Sequence, residues 1–482
     1  MTAPGNMADE ILARAAARGD QAAFVSHGGT LTYAELVVRV EALARKLETL
    51  FADTRAAVPR VGVLCPGGVR HAVLMLAVMR AGGCAVAVAG ELPRSEREAL
   101  REATGLHGVM STENVAWGER GENCGENIFW EKFTSAEPAF PVTDFEKLRP
   151  AFVRFSSGTT GRSKGVVLSH AILRERLDSA NRRLGIDASD AVLWTLPMAH
   201  HFAVSILLYL RQGATVVIPG GGLAADFLDA AVRHDATVFY GSPFQSALLA
   251  AEESGRKWPS LRLAVSTAAP LPAATAEKFA SRYGKRLVQG LGIIEAGLPF
   301  LNTESPDSSV VGRAGDFEVR LDQGELCLRG PGMFDAYLSP WSTREEVMAD
   351  GWFHTGDLAR IDAQGDIRLT GRCKSVINVG GSKCFPEEIE DVLRLHRDVK
   401  EVRVRGEEHV RWGMLPVAEI VPFDPESVPP AAALTDFCRA RLAAYKVPVR
   451  FNFVASLPTT ASGKIRRGQD GPVTANGCAP GR

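Results

Sequence analysis

Ten consecutive residues, Ser156-Ser-Gly-Thr-Thr-Gly-Arg-Ser-Lys-Gly165, hold three glycines, five hydroxyls and a lysine. Glycines let a backbone approach a ligand and turn its N–H groups inward, and the hydroxyls and Lys164 add donors around the same point. That donor set suits a polyphosphate. The residue order is not that of a P-loop, in which Gly-x-x-x-x-Gly-Lys-Ser/Thr runs into a helix. Here Gly165 follows the lysine, and Val166-Val-Leu168 reads as a strand, so the segment is a strand–loop–strand hairpin. The same order argues against a P-loop kinase or ATPase. A plain surface hairpin is the bland alternative, but one rarely gathers so many donors.

Alternating strands and helices must position this loop. Thr32 and Glu35 form a capping box, and Leu36, Val40, Leu43 and Leu47 follow at helical spacing. The pattern then predicts a strand over 60–64, a helix over 69–80 and a strand over 84–88. Further strands are expected near 191–195, 214–218, 237–240, 261–265 and 286–289, with helical patterns between them. Short β-branched runs separated by helices imply an α/β fold of parallel-rich sheets covered on both faces. Residues 112–147 are polar and weakly patterned, which predicts surface connection. From about Val310 short strands and glycine-rich turns make a small β unit, and after Gly371 a small α/β unit begins. There Pro386, Glu387 and Glu388 open a helix whose apolar face is Ile389, Val392 and Leu393. Strands are expected over 401–404, 417–421 and 450–454, the middle one with an uncertain start because Pro416 precedes it. The tail beyond Arg467 is glycine-rich and polar.

The chain has 482 residues, enough for about three packed units at roughly 150 residues per domain. A net charge of -1 gives no basic face for nucleic acid, so any charged substrate must be held by a local site. The eight cysteines contain no C-x-x-C pair, which leaves zinc spacing absent and reduced thiols expected. No secretory leader opens the sequence, and its longest apolar stretch, Ala72 to Met79, is far too short for a membrane span. A soluble cytoplasmic protein is the expectation.

From the Ser156 loop onward the sequence resembles the adenylate-forming superfamily of AMP-dependent synthetases and ligases. That superfamily includes acyl- and aryl-CoA synthetases, peptide-synthetase adenylation domains and luciferases. The resemblance is carried, in order, by Leu31-Thr-Tyr-Ala-Glu-Leu36, Arg80-Ala-Gly-Gly-Cys84, Leu196-Pro-Met-Ala-His200, Ser266 to Leu271 and Gly290-Leu-Gly-Ile-Ile-Glu295. It continues through Gly324-Glu-Leu326, Trp352-Phe-His-Thr-Gly-Asp357, Gly371-Arg-Cys-Lys374, Gly380-Gly381 and Thr460-Ala-Ser-Gly-Lys464. It implies a large N-terminal adenylation domain (1–372) and a small mobile α/β C-terminal lid (373–482), with a hinge at Lys374.

The resemblance also assigns roles. ATP or AMP would be held by Ser156, Ser157, Gly158, Thr159, Thr160, Gly161 and Lys164, by Ala268, Ala269 and Pro270, and by Leu291, Gly292 and Ile294. Asp357 and Arg372 would take the ribose hydroxyls, a task suited to an ionised carboxylate. Glu295 would help hold Mg2+ between the phosphates, because a hard cation needs oxygen ligands. Lys464 would bridge the attacking carboxylate and the α-phosphate as charge redistributes. The acyl pocket would be lined by His200, His201, Phe202, Ser205, Thr267 and Gly290, and the Gly380-Gly381 loop would face an incoming thiol. Rotation about Lys374 would let one site carry out adenylation and then thioester formation.

Three positions depart from the family pattern. Leu291 and Ile294 stand where a tyrosine and a threonine are usual, so an adenine-stacking ring and a phosphate donor are lost. Such a hydrogen bond is worth on the order of 1–3 kcal/mol. Ser163 replaces a common proline. A degenerate member that binds nucleotide or acyl-adenylate without turnover is therefore a second reading. His201 replaces an asparagine that reads a ring hydroxyl in aryl-acid activating members, and Ile206 a polar neighbour, which points to a neutral aliphatic or simple aryl acid. No carrier domain is fused to the chain. Coenzyme A is the first-choice acceptor, with the phosphopantetheine of a free acyl carrier protein next.

Overall fold

The computed structural model describes residues 5–112, 117, 121–133, 138–155, 164–379 and 382–458, without the side chains of Lys374 and Lys383. Among these residues two compact units result, one reaching to Leu369 and the other beginning at Thr370. The first carries two large sheets. One has eight strands in the order Gly297–Leu301, Leu287–Ile293, Leu263–Ser266, Val238–Gly241, Ala191–Trp194, Thr215–Val217, Ala22–Ser26 and Gly29–Thr32. Its inner pairings are all parallel and each end is closed by an antiparallel partner.

The other sheet has nine strands, in the order Trp341–Thr343, Ala336–Leu338, Gly165–Ser169, Pro150–Phe155, Cys84–Val88, Arg60–Leu64, Gly108–Thr112, Ile128–Lys132 and Glu122–Gly125. It is mixed: only the central pairings are parallel. Pro150–Phe155 and Gly165–Ser169 pair antiparallel, as the strand–loop–strand reading requires, with the intervening loop outside the described residues. A separate four-stranded sheet, Glu318–Asp322, Glu325–Arg329, Phe353–Ile361 and Ile367–Arg372, is the small β unit expected after Val310.

Local chemistry explains the elements. In the helix Tyr33–Ala52 the Thr32 and Glu35 side chains cap each other's backbone, and Leu36, Val40, Leu43 and Leu47 are all buried. The helix Val69–Arg80 is buried from His71 to Met79, which is why it carries no polar stripe. No described helix is long and apolar enough to cross a membrane.

One expectation is corrected. Residues 112–147 do not merely connect: Glu122–Gly125 and Ile128–Lys132 form a hairpin that widens the nine-stranded sheet, and Val142–Lys147 is helical. Trp117, Trp130, Phe140 and Phe145 in this stretch are buried. The turn residues Glu126 and Asn127 both adopt positive φ (52° and 58°), the geometry that suits a two-residue hairpin turn.

The second unit is a sheet of Ser382–Cys384, Ile377–Val379, Gly413–Pro422 and Val399–His409, with Arg450–Phe453 added in parallel to Gly413–Pro422. Helices Pro386–Arg394 and Ala431–Arg439 accompany it. Pro416 lies inside the long strand rather than before it. Its carbonyl accepts from Val449 N–H at 2.9 Å, so its missing donor faces the side where the strand Arg450–Phe453 has yet to begin, and no ladder bond is lost. The described cysteines are all free.

Candidate active site

Parallel strands end together, and ligands bind in the crevice at their C-terminal ends. Register aligns Trp194 with Tyr240, Gly241 with Ser266, and Ser266 with Gln289. The residues that follow these ends are the expected acyl-pocket residues. After Trp194 the short helix Met198–His201 turns the chain back, and the Ser205 hydroxyl donates to the His201 carbonyl at 3.0 Å. The His201 ring sits edge-on to Trp194 at 6.0 Å, and Phe202, fully buried, stacks with Phe152 at 6.5 Å. His200 Nε2 lies 3.5 Å from Glu91. After Ser266, the Thr267 hydroxyl donates to the Gly290 carbonyl at 2.9 Å and Leu271 N–H donates to the Gln289 side chain at 2.7 Å. This double tether lays Ala268, Ala269 and Pro270 along the strand that carries Leu291 and Gly292. Ala268 is held at φ +76° there.

That strand runs on to Ile293, beyond its expected end at Gln289, and turns into Gly297–Leu301 through Ile294 and Glu295. Arg176, on the helix His170–Leu184, fixes the turn by donating to the carbonyls of Ile294 and Glu295 at 2.9 Å and of Gly332 at 2.8 Å. Burial pushes the Arg176 guanidinium down to about 10, with Glu295 and Asp335 opposing. Gly297, at φ +87°, leaves room for that arginine, since a Cβ would stand 2.7 Å from its side chain. The Tyr337 hydroxyl donates to Glu295 Oε1 at 2.8 Å, and Lys164 Nζ stands 4.2 Å from the centre of the Tyr337 ring. Burial beside Glu295 holds the Tyr337 phenol well above its ordinary range. A cavity of about 220 Å³ opens here, lined by Lys164, Tyr337, Pro340, Ser342, Val347, Phe353 and His354. Among the described residues no three His, Cys, Asp or Glu side chains gather to hold a metal on their own.

Asp357 is buried on the strand Phe353–Ile361. Its approach is braced by Glu325, which accepts Gly356 N–H at 2.8 Å with Oε1 and faces His354 Nδ1 at 3.2 Å with Oε2. His354 Nε2 faces Asp350 at 3.3 Å, and the Glu325 hydrogen bond leads the causes that raise the His354 imidazole. Arg372 ends the strand Ile367–Arg372 and is exposed, and the backbone of Lys374 forms a 3-10 turn with Cys373 and Ser375. Arg372 and Lys374 belong to the second unit. Residues 156–163, Gly380, Gly381 and Lys464 lie outside the described residues.

The first unit thus brings together Thr267, Ala268, Gly290 and Leu291, and separately sets Lys164 and Glu295 each against Tyr337. Tyr337 and Arg176, which fix Glu295, escaped the sequence reading because nothing local marks them. Arg154 escaped too, although it is the one charge in the apolar run Ala151-Phe-Val-Arg-Phe155.

The profile of the AMP-binding enzyme family matches residues 11–338, and that of the AMP-binding enzyme C-terminal domain matches residues 388–464. A feruloyl-CoA synthase of Amycolatopsis sp is 30% identical over 95% of this chain and 96% of its own. The 2-succinylbenzoate–CoA ligase of Bacillus subtilis is 32% identical over 66% of this chain and 68% of its own. The solved structure of the o-succinylbenzoate CoA synthetase of Bacillus subtilis with its acyl-adenylate intermediate superposes with a TM-score of 0.82. It is 25% identical and covers 95% of this chain and 97% of that one.

Proposed function

The chain belongs to the AMP-binding enzymes, and from that premise we propose that it is an ATP-dependent acid–thiol ligase. In the first step a carboxylate oxygen attacks the α-phosphorus of ATP, the bond to the β-phosphate breaks, and pyrophosphate leaves. In the second a thiol attacks the acyl carbon, AMP leaves with the bonding pair, and the thiol proton passes to solvent. The observation that carries this reading is the fixed Glu295. Tyr337 and Arg176 hold it beside Lys164 at the end of a strand whose neighbouring segment, Thr267 to Pro270, is tethered alongside.

Lys464 would supply positive charge to the adenylation transition state, and Asp357 and Arg372 would take the ribose. Glu295 has one oxygen engaged by Tyr337, which fits a metal held by one carboxylate, phosphates and water rather than by a protein cage. Bound there, Mg2+ would neutralise phosphate charge. Relatives named for CoA thioesters favour coenzyme A over a carrier protein as acceptor. The apolar surroundings of Phe202 and His201, packed against Phe152 and Trp194, favour a neutral aliphatic or simple aryl acid. We assign residues 1–372 to adenylation and 373–482 to a lid hinged at Lys374, with Gly380 and Gly381 facing the thiol.

The test is acid-dependent exchange of pyrophosphate into ATP across an acid panel, run with coenzyme A and with a carrier protein in parallel. AMP as product supports the ligase, and ADP, or no exchange with any acid, defeats it. The second reading, nucleotide binding without turnover, draws on Leu291 and Ile294, which pack against the main core. Tight AMP binding by calorimetry with no pyrophosphate release would select it.

A further inference from the structure

Among the described residues Arg154 is a cation with no hydrogen-bond acceptor. It lies on Pro150–Phe155, two residues before the phosphate loop, and its Nε is shut off from solvent with no hydrogen-bond acceptor. Among the described residues its guanidinium makes no hydrogen bond or ion pair. Burial pushes it down to about 10, and Glu295 is the carboxylate whose field opposes that. The side chain as a whole is half-buried, and its sealed Nε is a donor that costs stability unless something pairs with it.

Register shows where it points. Arg154 pairs with Val166 on the next strand, and Val166 pairs with Tyr337 on the strand after. Residues paired across adjacent strands share a face, and Val166 and Tyr337 both face the main core. Arg154 and Tyr337 therefore stand about 10 Å apart on one face, with only a valine between them. Tyr337, at one end of that row, donates to Glu295, and Arg154 stands at the other end. Lys164 adds a second cation at the far mouth of the same loop, over the Tyr337 ring. Arg176, by contrast, is spent on backbone carbonyls. Arg154 thus stands in the field of Glu295 with no acceptor of its own among the described residues, which is what an anion site needs. The neighbour of Glu295, Ile294, offers that anion no donor.

We propose that Arg154 binds the nucleotide phosphate common to AMP and ATP, in the place of a donor that Ile294 cannot supply. The proposal rests on the ligase reading above. It also fits the unpaired charge: Arg154 is held ready for an anion that arrives with the nucleotide.

The test uses the full chain and AMP as probe. Arg154→Gln should weaken AMP binding, measured by calorimetry, by roughly ten- to one-hundredfold, the range for a charge-assisted hydrogen bond. Its ligand-free unfolding midpoint should hold or rise, because an unsatisfied sealed donor has been removed and no described hydrogen bond is lost. Adding Ile294→Thr to Arg154→Gln should recover at least a few-fold of the lost affinity. AMP affinity within twofold of wild type in Arg154→Gln would overturn the proposal. So would a lost midpoint together with no recovery by Ile294→Thr, which is the signature of a structural arginine. Arg154→Lys, which keeps the charge and loses the fork, should lose less affinity, and it decides the matter should the glutamine variant not fold. If wild type itself binds no AMP and exchanges no pyrophosphate, the ligase reading fails, whereas wild-type binding with an indifferent Arg154 defeats this inference alone.

Discussion

Ala268 stands at φ +76° because the Thr267–Gly290 and Leu271–Gln289 hydrogen bonds leave its backbone no other course. A side chain there costs roughly 1–2 kcal/mol, against which glycine's greater unfolded freedom returns about half. Ala268→Gly should therefore raise the thermal midpoint slightly, and Ala268→Val, β-branched at positive φ, should lower it by several degrees and weaken AMP binding. Equal midpoints for the two variants would show that the tether yields. His354 gives a pH prediction. Its imidazole is raised by Glu325 and Asp350, so its contribution to stability is complete below the ordinary imidazole value of about 6.5 and fades as pH rises through the raised folded value. Wild type should lose more stability than His354→Gln between pH 6 and pH 8 in urea titrations, and parallel curves would refute the brace. Such residues show how far a sequence reads at this scale. Glu295 and Asp357 stand in motifs, but the strain at Ala268 and the isolation of Arg154 depend on tethers and register between segments far apart in the chain.

Elements are pinned by neutral histidines. His107 Nδ1 accepts Arg60 N–H at 3.0 Å, joining the strand Arg60–Leu64 to its neighbour, and His170 Nδ1 accepts Met7 N–H at 3.1 Å, joining two helices. An imidazolium cannot accept either bond, and burial pushes both rings down to about 4. With the folded value below the unfolded one, the unfolded chain binds the proton first as pH falls, so stability is lost from about pH 6.5 towards pH 4. Each ring accounts for about 2 kcal/mol between pH 6.5 and pH 4.5 on these values. His170→Gln, whose amide oxygen can still accept, should lose that much less than wild type over the same interval. An unchanged slope in urea titrations at several pH values would show that His170 is not the sensor. At this scale the sequence was most legible where one element buries one pattern: strand Arg60–Leu64, helix Val69–Arg80 and strand Cys84–Val88 lie where the pattern placed them. The hairpin of Glu122 to Lys132 was not legible. Its turn is Glu126-Asn127 rather than a glycine pair, and its apolar side, Ile128 and Trp130, is too short to announce a period.

At the scale of the whole molecule, the order of motifs along the chain made the fold class readable. The change of rhythm near Val310 announced the small sheet of Glu318 to Arg372, whereas the boundary at residue 372 came from the resemblance and not from the pattern. What the sequence could not convey is how one active site would serve the two proposed chemical steps, and a split between the half-reactions tests the proposed division of labour. If Lys464, at the end of the matched C-terminal domain, acts only when the acid attacks the α-phosphorus, Lys464→Ala should cut acid-dependent pyrophosphate exchange by about a hundredfold or more. The same variant, given a preformed benzoyl-adenylate and coenzyme A, should form thioester at a rate within about tenfold of wild type, because on the proposed scheme that step would use the Gly380-Gly381 face instead. A bulky replacement, Gly381→Leu, should show the reverse: exchange nearly intact and thioester formation lost. Reciprocal losses of this kind arise only if the two steps use different faces of residues 373–482. Parallel losses in both assays would mean that one arrangement performs both steps, and the hinge at Lys374 would have no part in the reaction.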